Sequence, residues 1–583
     1  MKKTLFISLA ILPALLGTSC KDEVRQLNVY RKPGEVDKQI TVRFFKDSPN
    51  VPYISVSEYY KEFFDVSLKK VHNISTGFEY MYITNSNEYM SFSTNKHTFT
   101  TSGMTSFDNN PNYSSVKGKL FIKYENVEAT KRQIKTINLK NYGIKLYARQ
   151  KDAYVPLTLL SDLSGGLSGF DVVYNGKDIY VFDNNGYLGT ETNASSFGTS
   201  YLSELNDVNT PRKEDLVKFN YNELCLVFDH LRGHTKQLVF GDEKLESLGL
   251  DKLLSTYHPK IKEYLLSTNK LNYYEGLAAL FHGLADGGHT GLTFGFDKFI
   301  EAVNRKSEKD FADLLDIYND DAADYTGSKT SFQISKRTVL GVPLADKKYY
   351  YYSSDDKTAF IGFNNFSLDI NGWDDYYNGR GEIPVDTDSY AYVRQQMYQA
   401  KSDGAENVVL DLTTNTGGSS YSLEGILSLF NKAKGYIHTL DVVGGYTVKE
   451  NHLIDINLDG KWDEKDKEEA EKFNFNVGVL TSDVAFSCGN LLPFNMKELG
   501  YKIIGEKSGG GSCAVSKDTT ADGIPYAHSS YLCLTDAQGD NIDGGVPVDF
   551  PISRVTLSEH LYNCDTFFDI TSVAEYLSNA YTN

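Results

Sequence analysis

At 583 residues the chain is too long for one hydrophobic core, and a prior of about 150 residues per domain implies three or four units. Its formal net charge of −18 excludes a protein that holds nucleic acid through clustered Lys and Arg, so no nucleic-acid partner is expected. The acidic surface serves solubility, and the 13% aromatic content allows large cores.

Met1-Lys2-Lys3 precedes an apolar run from Leu5 to Leu16 that is too short to span a bilayer comfortably, which makes it a signal segment. The small residues before Cys20 resemble a bacterial lipoprotein cleavage box, although Gly17 stands where a leucine-like residue is usual. The resemblance implies that residues 1–20 are a lipoprotein signal peptide and that a lipid on Cys20 anchors the chain to the membrane. Lys21-Asp22-Glu23 resembles the export tag of surface lipoproteins in the Bacteroidetes, which implies a cell-envelope protein at the outer membrane, with exposure on the outer face allowed. A secreted protein with an incidental Cys20 is the alternative. Cys225, Cys488, Cys513, Cys533 and Cys564 remain, an odd number in a large chain, so no disulfide-stapled scaffold is expected. One bridge among the last four is allowed, and no CxxC pair suggests zinc.

Residues 21–205 read as a β-rich amino-terminal domain, with alternating runs such as Lys119–Tyr124 and a hairpin signal at Asn175-Gly176 between Val172–Tyr174 and Ile179–Phe182. A helical period follows over 206–334, where Leu277, Leu280, Phe281 and Leu284 mark one face of a helix starting near Asn272 and ending at Gly287-Gly288, just before His289. From 335 to 583, β-type runs at Phe360–Phe363, Val408–Leu412, Val477–Thr481 and Lys502–Ile504 alternate with helices near 389–402, 421–432 and 488–499, predicting an α/β layered domain.

Ser487 lies between the run Val477–Thr481 and an apolar segment starting at Leu491, a strand-to-helix turn where amide N–H groups can stabilise an oxyanion. A plain helix N-cap is the alternative reading of that serine. Asn407–Gly418 is a buried strand followed by a polar, glycine-rich turn. Together with Ser487 and His289, this stretch resembles the C-terminal processing (tail-specific) serine peptidases, with Thr413 in place of the family's arginine. Thr358–Phe366 and Asp543–Asp549 resemble the family's opening strand and closing segment, so the resemblance covers about 270–560. It implies a crotonase/ClpP-like α/β catalytic fold and an oxyanion hole made by the N–H of Gly417 or Gly418 and that of Cys488. Gly511 stands where the Ser/Lys branch carries its catalytic lysine, and the neighbouring Lys507 aligns outside that dyad. Asp286–Gly291 resembles instead the Asp-x-His-Thr element of the tricorn-like branch, with Gly288 in place of a serine. That resemblance implies His289 as general base, completed by an acid for which Asp543 is the first candidate and Asp286 the second. The stretch between Leu292 and Lys357 is too short and irregular for the PDZ domain that many members carry.

Asp455–Asp466 places oxygen ligands at Asp455, Asn457, Asp459, Asp463 and Asp466, loop positions 1, 3, 5, 9 and 12, with Gly460 at the sharp turn and Lys461 offering its carbonyl. This predicts a structural Ca²⁺ loop resembling those of dockerin modules, and no cofactor for catalysis. The expectation is an envelope-attached serine peptidase that attacks peptide or protein substrates through Ser487. The competing class is an inactive peptide- or glycan-binding lipoprotein of the same fold.

Overall fold

The computed structural model describes residues 22–72, 78–84, 88–104, 107, 119–167, 169–184 and 191–582. The expected signal segment and Cys20 lie outside the described residues. Among those residues no helix is long and apolar enough to cross a membrane.

The amino-terminal region holds a seven-stranded sheet in the order Tyr147–Arg149, Asp152–Pro156, Ser48–Ser55, Lys38–Phe45, Glu23–Tyr30, Ile179–Asp183 and Phe170–Tyr174. Alternation builds it: in Lys38–Phe45, Ile40, Val42 and Phe44 point into the core while Gln39, Thr41 and Arg43 stay at least partly exposed. The hairpin at Asn175-Gly176 forms with Tyr174 opposite Ile179, and Gly176 takes a φ of 96°. A separate five-stranded sheet uses Lys69–His72, Glu79–Ile83, Tyr89–Ser93, Thr98–Thr101 and Lys135–Asn138.

The helix that leads to His289 spans Lys270–Gly283, capped by Asn269, whose side chain accepts from the Asn272 N–H. It is buried nearly all round, with Tyr273, Tyr274, Leu277, Leu280 and Phe281 in one core with Tyr526. The 32-residue helix Lys309–Leu340 occupies the stretch that looked irregular in sequence. Its buried face carries Ser328, Ser331, Ser335 and Lys336 among the apolar residues, so no apolar stripe announces it.

Residues 348–551 form a six-stranded sheet in the order Lys348–Ser353, Thr358–Phe363, Asn407–Asp411, Asn476–Thr481, Lys502–Gly505 and Phe550–Pro551. All pairs but the first are parallel. Val408, Val409, Leu410, Val479 and Leu480 are fully buried, as expected of strands covered on both faces. The helices Ser389–Asp403, Ser420–Ser428 and Cys488–Glu498 alternate with the strands. A second sheet runs Gly291–Leu292, Pro525–Leu534, Lys434–Asp441, Tyr446–Ile454 and Ile122–Ala129, with Cys513–Thr519 also pairing to Pro525–Leu534. A strand from the first quarter of the chain is thus stitched to the carboxyl-terminal half.

Candidate active site

Two turns at the carboxyl ends of neighbouring parallel strands meet. After Asn407–Asp411 the chain runs through Asn415 to Gly417-Gly418, and after Asn476–Thr481 it reaches Ser487. Asn415 joins them: its Oδ1 accepts the Gly417 N–H at 2.9 Å, its Nδ2 donates to Phe363 O at 2.9 Å, and its carbonyl accepts the Phe486 N–H at 3.0 Å. Gly417 has a φ of 95°, and a Cβ there would lie 2.6 Å from Ser487 Cβ and 2.8 Å from Phe486 O. Only glycine lets the two turns touch.

Ser487 is the N-cap of Cys488–Glu498, yet its side chain makes no capping hydrogen bond. Its backbone sits at φ 56°, ψ −121°, a conformation rare for a residue with a Cβ. Ser487 N–H donates to Gly510 O at 2.8 Å, and no hydrogen bond of its hydroxyl occurs among the described residues. The amides of Gly418 and Cys488 are likewise unused among the described residues, whereas that of Gly417 is taken by Asn415. The Cys488 thiol donates to Gly418 O at 3.1 Å, and burial pushes it up to about 12.

The loop Gly509–Gly511, where a catalytic lysine would stand in the Ser/Lys branch, packs on the serine turn. A Cβ at Gly511 would lie 2.5 Å from the Phe486 ring, so a side chain at this position has no room. Gln237 ties this loop to the helical segment by donating from Nε2 to Gly509 O at 2.6 Å.

His289 arrives from the other side, its ring in edge-to-face contact with Phe486 at 4.8 Å between centroids. Burial holds the imidazole below its ordinary value, against the opposing influence of Asp286, Asp543 and the Cys513 backbone. Its Nδ1 is buried and without a partner. No hydrogen bond joins His289 to Ser487 among the described residues. Asp286 serves the histidine's backbone: Oδ1 accepts the N–H of His289 at 3.1 Å and of Thr290 at 2.7 Å, while Oδ2 accepts from Thr290 Oγ1 and Ser529 Oγ. Asp543 bonds Ser512 through N–H at 2.8 Å and Oγ at 2.7 Å. Beside these groups opens a cleft of about 710 Å³, lined by His289, Phe486, Gly509, Gln237, Tyr325 and Asp324 among others.

Three residues that support the site went unnoticed in the sequence: Gln237, Ser512 and Lys336. Lys336, on Lys309–Leu340, places its ammonium 2.7 Å from the buried Asp411 carboxylate and 3.0 Å from Thr414 Oγ1. It supplies the positive charge at a turn where Thr413 stands in place of arginine. Only the partner helix could have revealed it, and helix pairing is not written in local sequence.

The predicted calcium loop folds as a closed turn. Gly460 takes a φ of 80°, Asp455 Oδ2 accepts the Gly460 N–H at 2.7 Å, and Asp466 Oδ1 accepts those of Ile456 and Asn457. Asp463 and Asp466 form a capping box that starts the helix Glu464–Ala470. Asp459 and Asp463 accept from Lys461 and Lys465, so the carboxylates bond backbone amides rather than converging on one point. Burial raises Asp455 to about 6, with the Asp466 charge adding to the rise. The donors are all oxygen, as a hard cation requires.

The model of peptidase family S41 matches residues 358–552. No curated protein sequence matches the chain. Among solved structures, a candidate peptidase from Parabacteroides merdae is 16% identical, covering 62% of this chain and 96% of its own, with a TM-score of 0.40. The photosystem II D1 C-terminal processing protease is 16% identical over 34% of this chain and 44% of its own, with a TM-score of 0.25. The tricorn protease is 16% identical over 39% of this chain and 18% of its own, with a TM-score of 0.20. The glycine turn at Gly417-Gly418 and the turn that carries Ser487 both lie within residues 358–552, the stretch that matches the model of peptidase family S41.

Proposed function

We propose that the protein is a serine peptidase in which Ser487 attacks the peptide carbonyl and His289 takes its proton. The observation that carries this reading is a serine at a helix N-cap, in a strained backbone conformation, whose hydroxyl is not spent on capping. Burial keeps the imidazole neutral near pH 7, the form able to act as base. The unused amides of Gly418 and Cys488 are the oxyanion donors, Cys488 at the positive end of its helix. Gly417, whose amide is bound to Asn415, serves as the contact point between the turns. Asp543 supplies the acid that favours the imidazolium, its carboxylate held in place by Ser512. An acyl-enzyme on Ser487 forms, the leaving amine takes the proton from His289, and water resolves the ester by the reverse proton path.

The absence of a Ser487–His289 hydrogen bond is compatible with this chemistry, because such contacts often tighten only with substrate. The Asp455–Asp466 loop would hold a structural Ca²⁺ through Asp455, Asn457, Asp459, the Lys461 carbonyl, Asp463 and Asp466, once those side chains turn from the backbone amides they bond here. The chain is attached to the envelope through Cys20 and acts on extended peptide or protein substrates.

Labelling with a fluorophosphonate probe tests the nucleophile. Native protein is expected to label, and Ser487→Ala and His289→Ala are each expected to lose about 10³-fold or more of that rate. Folded native protein that does not label, with or without peptide present, would remove the enzyme reading.

A further inference from the structure

Cys513 and Cys533 face each other across the antiparallel pair Cys513–Thr519 and Pro525–Leu534, with their sulfurs 3.4 Å apart. Leu534 N–H donates to Ser512 O, a bond between the residues that flank Cys533 and Cys513, so the cysteines occupy a non-hydrogen-bonded position of the ladder. Cα atoms in such positions typically lie about 4.5 Å apart, inside the window of about 4.4–6.8 Å that a disulfide tolerates. Gly233 is pressed on both sulfurs: a Cβ there would lie 2.5 Å from Cys513 Sγ and 2.6 Å from Cys533 Sγ. The remaining cysteines have other surroundings, with Cys488 bonded to Gly418 O, Cys225 in the core beside Tyr221 and Cys564 in the core beside Phe567.

We propose that Cys513 and Cys533 are joined by a disulfide in the exported protein and that this crosslink pins the loop on which the Ser487 site is built. Ser512, directly before Cys513, holds Asp543 by two hydrogen bonds. Gly510 accepts the Ser487 N–H, and the Cys513 backbone faces the His289 ring. A bond at Cys513 therefore anchors one end of the segment that touches all three groups. This functional half rests on the peptidase reading above, whereas the crosslink itself does not.

Two thiols give up two protons and two electrons to a disulfide oxidant, either a small molecule or a protein, which leaves as two thiols after a mixed-disulfide step. Both cysteines are at most 4% exposed. The neighbouring Cys533 sulfur, and after it burial, push the Cys513 thiol well above its ordinary value, so the attacking thiolate is scarce once the fold has closed. The bond accordingly forms while the two strands assemble, and afterwards lies beyond the reach of external reductants.

The test is peptide mapping of the full chain isolated from the cell envelope in iodoacetamide, with no reductant. The expected result is a linked pair of peptides carrying Cys513 and Cys533, neither alkylated, and a link that dithiothreitol opens only after guanidinium unfolding. Alkyl label on both cysteines, in the isolated protein and again after refolding in a mixed glutathione buffer, would overturn the crosslink. Mapping needs no enzymatic activity and so decides this point even if Ser487 is inert. For the functional half, C513S/C533S is expected to fold by circular dichroism and to lose on the order of ten-fold in fluorophosphonate labelling rate. An unchanged rate in that variant would refute the pinning of the site.

Discussion

At Ser487 the backbone takes φ 56° and ψ −121°, a region a Cβ makes costly by about 1–3 kcal/mol. The strain is maintained by backbone bonds on either side, from Phe486 N–H to Asn415 O and from Ser487 N–H to Gly510 O. Substituting glycine removes the clash but keeps the turn. Ser487→Gly is therefore expected to raise the denaturant midpoint, by about 1 kcal/mol in unfolding free energy, while abolishing labelling. Ser487→Ala retains the Cβ and is expected to abolish labelling with no such gain. Equal stability of the two variants, by urea titration followed by fluorescence, would show that the turn is not strained.

Among elements, the long helix Lys309–Leu340 packs Phe332 and Leu340 against the six-stranded sheet and adds a buried ion pair to it. Lys336 and Asp411 are each under 7% exposed in their side chains, and Tyr349 and Thr413 complete the carboxylate's hydrogen bonds. Removing one partner strands the other charge in the core. Lys336→Met is expected to cost about 3–5 kcal/mol, and the double variant Lys336→Met/Asp411→Leu less than the sum of the two single changes. Additive losses in a chemical-denaturation cycle would mean that the pair is not coupled. The Asp455–Asp466 loop makes a prediction of the same kind, because a cation that binds only the folded chain raises its apparent stability. Excess calcium is expected to raise the melting temperature above that in EDTA, and Asp455→Ala to erase the difference. Identical melting curves in calcium and EDTA for the native chain would rule out the ion.

On the scale of the whole molecule, the contact between the amino-terminal sheet and the carboxyl-terminal half is lined with buried acids. Asp162, Asp171, Glu223 and Asp518 lie close enough to repel one another, with His528 bonded to Asp518 at 2.8 Å. Burial, with the charge of Asp518, raises Asp171 from 3.8 to about 7. A carboxyl raised in the folded state binds its proton more tightly there than in the unfolded chain. Its contribution to stability is complete below about pH 4 and is lost as pH rises through about 7. Stability is thus expected to fall by a few kcal/mol between those limits, each pKa unit being worth about 1.4 kcal/mol. Asp171→Asn should flatten that part of the curve. A native chain whose urea midpoint does not fall over this range would contradict the buried-acid account.

The sequence by itself determined the alternation of strands and helices from Thr358 onward, because fully buried parallel strands such as Val408–Leu410 are continuous apolar runs. It likewise determined the hairpin at Asn175-Gly176 and the placing of Ser487 at a strand-to-helix turn, since each depends on residues adjacent in the chain. The tertiary structure alone decided how those pieces meet. That Gly417 touches Ser487, that its amide is taken by Asn415 so that Gly418 is left with a free one, and that Phe486 fills the space above Gly511 are facts about contacts between distant segments. The helix Lys309–Leu340 escaped notice because its buried face is half serine and lysine, and Lys336 acquires its partner Asp411 only across 74 intervening positions. Periodicity records which side of an element is dry. Which residues share a pocket depends on the packing of elements, and there the side chains that matter are the polar ones that periodicity does not register.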